Sequence, residues 1–138
     1  MVTSPQIVEV KNVSKTFAGV QAVSDASFSI NRGECFGLLG PNGAGKSTLI
    51  RMLYGASARS GGSMSVLGLD PATSGRELRR RIGVVTQEDA LDEAMSVVEN
   101  MRMYASFIGL DKKVAKDRID ELLTFLSLNH KADAQIIT

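Results

Sequence analysis

The stretch Gly40-Pro-Asn-Gly-Ala-Gly-Lys-Ser-Thr48 constrains this chain more than anything else in it. Its spacing, Gly, four residues, Gly, Lys, then Ser or Thr, is that of a phosphate-binding loop, and the residue types say why. Glycines let the backbone curl tightly with its N–H groups turned inward, and a helix beginning near Lys46 adds its positive end. Lys46 then reaches the β- and γ-phosphates, and the Ser47 hydroxyl reaches a magnesium ion. The flanks fit such a loop. Cys35 to Leu39 is an apolar run of strand length, expected to be a buried strand, and Leu49 to Leu53 continues as a helix.

The 138 residues suffice for one ordinary domain with a core. A net charge of +1 argues against nucleic acid or an anionic membrane surface as a partner of the whole chain. No run approaches the length of a membrane span, and Met1 to Gln6 lacks a basic segment followed by an apolar one, so the expected location is cytoplasmic. The single cysteine, Cys35, excludes an internal disulfide; within an apolar run it is expected to be a small buried hydrophobe.

Ile7 to Val13 alternates in the manner of a half-buried strand, and Gln21 to Ile30 does so less cleanly. Lys15 to Gly19 between them is expected to turn, with Phe17 as an exposed aromatic candidate or a plug beside the first strand. Asn31 to Glu34 is a second turn, leading into the run before the loop. The loop helix is expected to stop at Gly55, a short strand to occupy Met64 to Leu67, and a turn Gly68 to Pro71. Ser74 with Glu77 has capping-box spacing for a helix through Arg81, whose arginines at 76, 79, 80 and 81 read as a solvated face before a nucleic-acid patch. Ile82 to Val85 is a β-branched strand ending at Gln87. Ser96 with Glu99 is a second capping box, opening a helix that stops at Gly109. Asp111 caps another, with Ile119, Leu122, Leu123 and Leu126 as its apolar stripe. The two helices are expected to pack as a hairpin, with Met95, Met101 and Met103 as core filling or an adaptable docking surface. Asn129 to Thr138 reads as an uncapped polar tail.

Together, Val13-Ser14-Lys15-Thr16-Phe17, the loop Gly40 to Thr48, and Val84-Val85-Thr86-Gln87 resemble the nucleotide-binding domain of the ATP-binding cassette (ABC) transporter family. Leu91-Asp92 and Ser96 to Asn100 resemble its exporter branch, which includes drug-resistance and nodulation-factor export ATPases. The implied fold class is α/β, a P-loop NTPase of ABC type, incomplete. An antiparallel β subdomain and the start of the parallel core would occupy residues 1–95, the first helices of the helical subdomain 96–128, and a tail 129–138. The resemblance makes Phe17 the aromatic that stacks on adenine. It wraps Asn42, Gly43, Ala44, Gly45 and Lys46 round the phosphates, sets Ser47 on magnesium and Thr48 on the α-phosphate, and makes Gln87 the glutamine that touches magnesium or the attacking water. The implied cofactors are ATP and Mg2+. The implied partners are a membrane-spanning permease, which would hold the subunit peripherally on the inner membrane face, and a second ABC ATPase domain head to tail.

There are departures. Thr86 stands where the family often has Pro, and Arg59 where Pro is common. The signature sequence, the aspartate of the second nucleotide motif, the catalytic glutamate and the switch histidine have no counterpart among these residues. His130 matches no family position, and Asp89, Asp92 and Glu93 follow no apolar strand. The resemblance therefore implies an exporter ATPase in the intact protein, with these 138 residues inactive in hydrolysis alone and marginal in stability. A non-transport ABC ATPase acting on nucleic acid or ribosomes is the alternative, against which the near-neutral charge counts.

Overall fold

The computed structural model describes residues 5–87 and 91–136. The chain divides into two compact units, Met1–Val84 and Val85–Thr138.

In the first unit, β1 (Gln6–Phe17), β2 (Val20–Asn31) and β3 (Gly61–Val66) form an antiparallel sheet in the order β2-β1-β3. Strict alternation would put Val10 and Val13 on opposite faces, since they stand an odd number of positions apart. Both are nevertheless buried. The register explains this: Val10 pairs with Phe28 and Val13 with Ala26, so β1 carries one extra residue there, and β2 takes one back before Lys15 pairs with Val23. The two irregular positions, Asn12 at φ 49 and Asp25 at φ 47, are joined by a 2.8 Å hydrogen bond from Asn12 Nδ2 to Asp25 Oδ1. The resulting apolar face, Val10, Val13, Val23 and Met64, packs against Leu49 and Met52 of α1 (Lys46–Leu53).

The strand at Lys15 runs on to Phe17, and only Ala18 and Gly19 turn, both at positive φ, the geometry of a two-residue hairpin loop. Helix α1 stops at Gly55, as its sequence predicts. Helix α2 (Pro71–Arg79) starts three residues before the expected Ser74 box. Asp70 is its N-cap, accepting from Ala72 N–H at 2.9 Å, and Pro71 has no N–H to leave unpaired. Ser74 instead marks a kink at φ -118. Arg59 selects this start: its two terminal nitrogens each donate to Asp70 at 2.7 Å, and its Nε donates to Gly62 carbonyl at 2.9 Å. That guanidinium holds the Asp70 carboxyl below its usual range. Of the four arginines on and after α2, Arg79 donates to the carbonyls of Tyr54 and Gly55 at the end of α1, and Arg81 pairs with Glu77.

Two expectations fail. Residues 35–39 and 82–85 form no strand and join no sheet; Leu39 is 94% and Val85 100% exposed, and Cys35 is exposed rather than buried. A parallel strand exists only through neighbours on its edges, and among the described residues the sheet ends at β2 and β3. Within 35–39, Phe36 stacks on Phe28 with ring centroids 5.0 Å apart, and Leu38 packs against the core of this unit.

In the second unit, α3 (Val97–Phe107) opens with the expected capping box. Glu99 Oε2 accepts from Ser96 N–H at 2.8 Å and Ser96 Oγ at 2.9 Å, which holds its carboxyl below the usual range. Helix α4 (Lys112–Phe125) is capped by Asp111 and packs back on α3 through Val98, Ile119 and Leu123. The apolar stripe is narrower than expected, since Leu122 and Leu126 remain exposed while Ala115 is buried. Met95, Met101 and Met103 are half-buried, with Met101 packed against the core of this unit. The segment after Leu128 is no free tail: the carbonyls of Ala132 and Ala134 accept from Val98 and Val97 N–H at 2.9 and 3.1 Å. These bonds satisfy orphan donors at the start of α3. Asp89, Ile137 and Thr138 lie outside the described residues.

Candidate functional site

The loop begins where the run 35–39 meets Gly40, and it closes on the first turn of α1. Gly43 and Gly45 both take the left-handed conformation, at φ 84 and φ 83, and Gly45 is the N-cap of the helix. Alternation of left-handed residues with others turns successive N–H groups to one side, the concavity that receives anions. The first helical hydrogen bond runs from Leu49 N–H to Gly45 carbonyl at 2.8 Å. The N–H groups of Lys46, Ser47 and Thr48 therefore precede the helix ladder, and no side chain caps them. An anion is a suitable partner for three such donors at the positive end of α1.

Gly45 is also where the loop is pinned to the sheet. A Cβ there would stand 2.2 Å from Ala22 carbonyl oxygen and 3.0 Å from Val23 Cγ2. Strand β2 thus sets how deep the loop sits. Lys46 is half-buried, and its ammonium donates to the carbonyls of Gly40 and Pro41, both at 2.7 Å. It therefore bridges the two ends of the curl and carries the cation to the mouth of the concavity. Asn42 and Ala44 are exposed on the rim, Ser47 is exposed one position into the helix, and Thr48 is half-buried behind it. Glycine backbone, cation and hydroxyl together form a donor set for a phosphate chain with a hard divalent cation.

Phe17 belongs to the same unit. It is the last residue of β1, pairs with Val20, and is 48% exposed, so it does not plug the core. Val20 and Ala22 are two positions apart on β2, about 7 Å along a strand, and Ala22 is the residue against which Gly45 is seated. The ring and the loop thus stand on neighbouring positions of one hairpin. Lys15, two residues earlier on the same face, lays its ammonium 4.6 Å from the ring centroid.

Gln87 lies in the second unit, exposed, in a bend. The turn that follows it is organised by a residue whose role spacing did not reveal, Asn100. Buried to 2% exposure, its side chain accepts from Asp92 N–H at 2.8 Å and donates to Asp92 and Ser96 carbonyls at 2.9 and 3.1 Å. Those partners fix the orientation of the amide and satisfy both of its ends. A polar residue on the apolar side of a helix, directly after a capping box, was the available signal.

A family model described as ABC transporter matches residues 23–138. Among curated relatives, Nod factor export ATP-binding protein I of Cupriavidus pinatubonensis is 41% identical over 130 residues, which are 94% of this chain and 40% of that protein. The protein of the same name from Mesorhizobium japonicum is 43% identical over 129 residues, 94% of this chain and 38% of its own length. The chain thus spans about two fifths of the curated relatives it matches. Among solved structures, one described as the ATP binding subunit of an ABC transporter has a TM-score of 0.80 at 29% identity, covering 94% of this chain and 54% of its own. A second, cbiO1 from Clostridium perfringens, described as part of the ABC transporter complex cbiONQ, has a TM-score of 0.80 at 28% identity with the same coverage. A family match that embraces the phosphate loop, α1 to α4 and Gln87 places this chain in the ABC transporter family.

Proposed function

We propose that the chain is the nucleotide-binding portion of an ABC exporter ATPase, and that Gly40–Thr48 holds the phosphates of ATP. The observation that carries this reading is the paired geometry of Gly45 and Lys46. The backbone is seated against Ala22 with its N–H groups unclaimed by side chains, and the ammonium is held at the loop's mouth. In this reading Asn42 to Lys46 wrap the phosphates, and Thr48 contacts the α-phosphate. Lys46 exchanges the Gly40 and Pro41 carbonyls for the β- and γ-phosphate oxygens, a stronger charge-assisted contact. Phe17 offers its ring to adenine, a contact that needs no reading of the base edge. Ser47 and Gln87 are the residues that would hold Mg2+. When bound, the ion neutralises charge between the β- and γ-phosphates.

Exporter function rests on the relatives' identity and on the exporter-like Ser96 to Asn100 stretch, which the structure uses as the capping box and buried amide of α3. Hydrolysis, the head-to-tail dimer and coupling to a membrane-spanning permease belong to the whole protein in this reading. These residues alone bind nucleotide without turning it over. Among the described residues no helix is long and apolar enough to cross a membrane, which fits a subunit attached to the inner membrane face through its permease.

Lys46→Ala is expected to weaken MgATP binding by about 1.5–3 kcal/mol, roughly ten- to a hundredfold, measured by calorimetric titration. An affinity within about twofold of the unsubstituted chain would show that the loop is not the binding site.

A further inference from the structure

We propose that Lys15 is a positioning residue for the base, clamping Phe17 so that adenine meets a fixed ring on its open face. The proposal rests on the reading of Phe17 as the adenine platform. Residues 15 and 17 alternate onto one face of β1, so their side chains lie side by side. Neither Lys15 nor the strand end is loose. Lys15 Nζ donates to Ala58 carbonyl at 2.6 Å, and the adjoining backbone is stitched to the same segment by Thr16 N–H to Ser60 Oγ at 3.0 Å and Ser60 N–H to Ser14 carbonyl at 2.8 Å. From that anchored position the ammonium lies 4.6 Å from the Phe17 centroid.

Two consequences follow from chemistry. A half-exposed phenyl ring at a hairpin tip has several rotamers open to it, and ordering it on binding costs entropy; a cation held over one face selects one arrangement in advance. The same cation draws π density toward itself, which leaves the opposite face better matched to an electron-rich purine. Lys15 thus acts through Phe17 and makes no contact with the phosphates.

The test compares MgATP with magnesium tripolyphosphate, which uses the loop and lacks a base, on the full 138-residue chain. Lys15→Met is expected to weaken MgATP about three- to fivefold while changing tripolyphosphate by no more than about 1.5-fold, and Lys15→Arg restores MgATP. Phe17→Ala is expected to lower MgATP selectively and to make the Lys15→Met change silent when the two are combined. If both ligands weaken in parallel in Lys15→Met, the lysine serves the phosphates or the fold, and the proposal falls. If Phe17→Ala is selective but Lys15→Met is not, the clamp alone is wrong. If Phe17→Ala leaves the ratio of the two affinities unchanged, the adenine platform itself is wrong and the clamp goes with it.

Discussion

Gly45→Ala is expected to weaken phosphate binding severely and to destabilise the first unit, while Gly43→Ala, at nearly the same backbone angle, is expected to do neither to the same degree. Both residues are left-handed, at φ 83 and φ 84, so a methyl group strains each by about 1–2 kcal/mol. Their surroundings differ. Nothing lies within 4 Å of a Cβ built on Gly43, whereas the one on Gly45 falls 2.2 Å from Ala22 carbonyl oxygen. That oxygen belongs to the backbone of β2 and cannot swing aside as a flexible side chain would. The loop must lift off the sheet, which adds to the strain and brings the total to about 3 kcal/mol or more of unfolding free energy. The lifted loop no longer aims the N–H groups of residues 45–48 at one point. MgATP affinity therefore falls by more than about a hundredfold in Gly45→Ala and by less than about tenfold in Gly43→Ala. Thermal melting and calorimetric titration of the two variants check the pair, and similar losses at both positions would contradict this account of how the loop is seated.

The second large effect is expected at Asn100. Asn100→Ala leaves the Asp92 N–H and the Asp92 carbonyl without their partner and opens a void where a 2% exposed side chain stood. Lost hydrogen bonding and unfilled volume together cost about 2–4 kcal/mol. Asn100→Asp separates the two contributions. It keeps the volume and the acceptor for Asp92 N–H, but turns a carboxylate oxygen toward the carbonyls of Asp92 and Ser96. It too is expected to destabilise, by a similar amount. Amide hydrogen exchange over residues 92–99 reads the effect locally, since residues 92–96 ahead of α3 are the part released. A neutral Asn100→Asp would show that packing, not the amide, holds that segment.

What could be read in the sequence was local in its cause. The stretch Gly40 to Thr48 is contiguous, and its left-handed turns at Gly43 and Gly45 fall where its glycines place them. Ser96 with Glu99 is equally local, and so is Asp111 at the head of α4. Ile7 to Val13 was read as a plain alternation, and the extra residue that brings both Val10 and Val13 inside, marked by Asn12 and Asp25, depends on a pairing that spans two strands. Where the determinant was distant, the reading went astray. Ser74 and Asp70 both have cap chemistry, and the contest was decided by Arg59, eleven positions upstream of Asp70, through two hydrogen bonds. Residues 35–39 and 82–85 have strand composition, but a strand is a relation between segments, and the described chain brings them no edge. The return of residues 132–135 onto α3 is invisible for a related reason: its bonds run from backbone to backbone and leave no trace in residue type.

For the candidate site, spacing proposed the loop residues and the family resemblance proposed Phe17, and neither told how they are held. Ala22 as the seat of Gly45 and Lys15 as the neighbour of the ring are facts of register. Gln87 lies in the second unit, and its part in binding remains a proposal that the family likeness supports.

In the proposed reading, backbone N–H groups at the start of α1, not a side-chain cluster elsewhere, receive the phosphates. Titration of the isotope-labelled chain with magnesium tripolyphosphate, followed through its amide resonances, tests this without any substitution. The account predicts that the largest shifts fall on Gly43, Gly45, Lys46, Ser47 and Thr48, with Lys15 and Phe17 moving only when MgATP replaces tripolyphosphate. Saturable shifts centred on any other segment, with residues 43–48 unmoved, would contradict it.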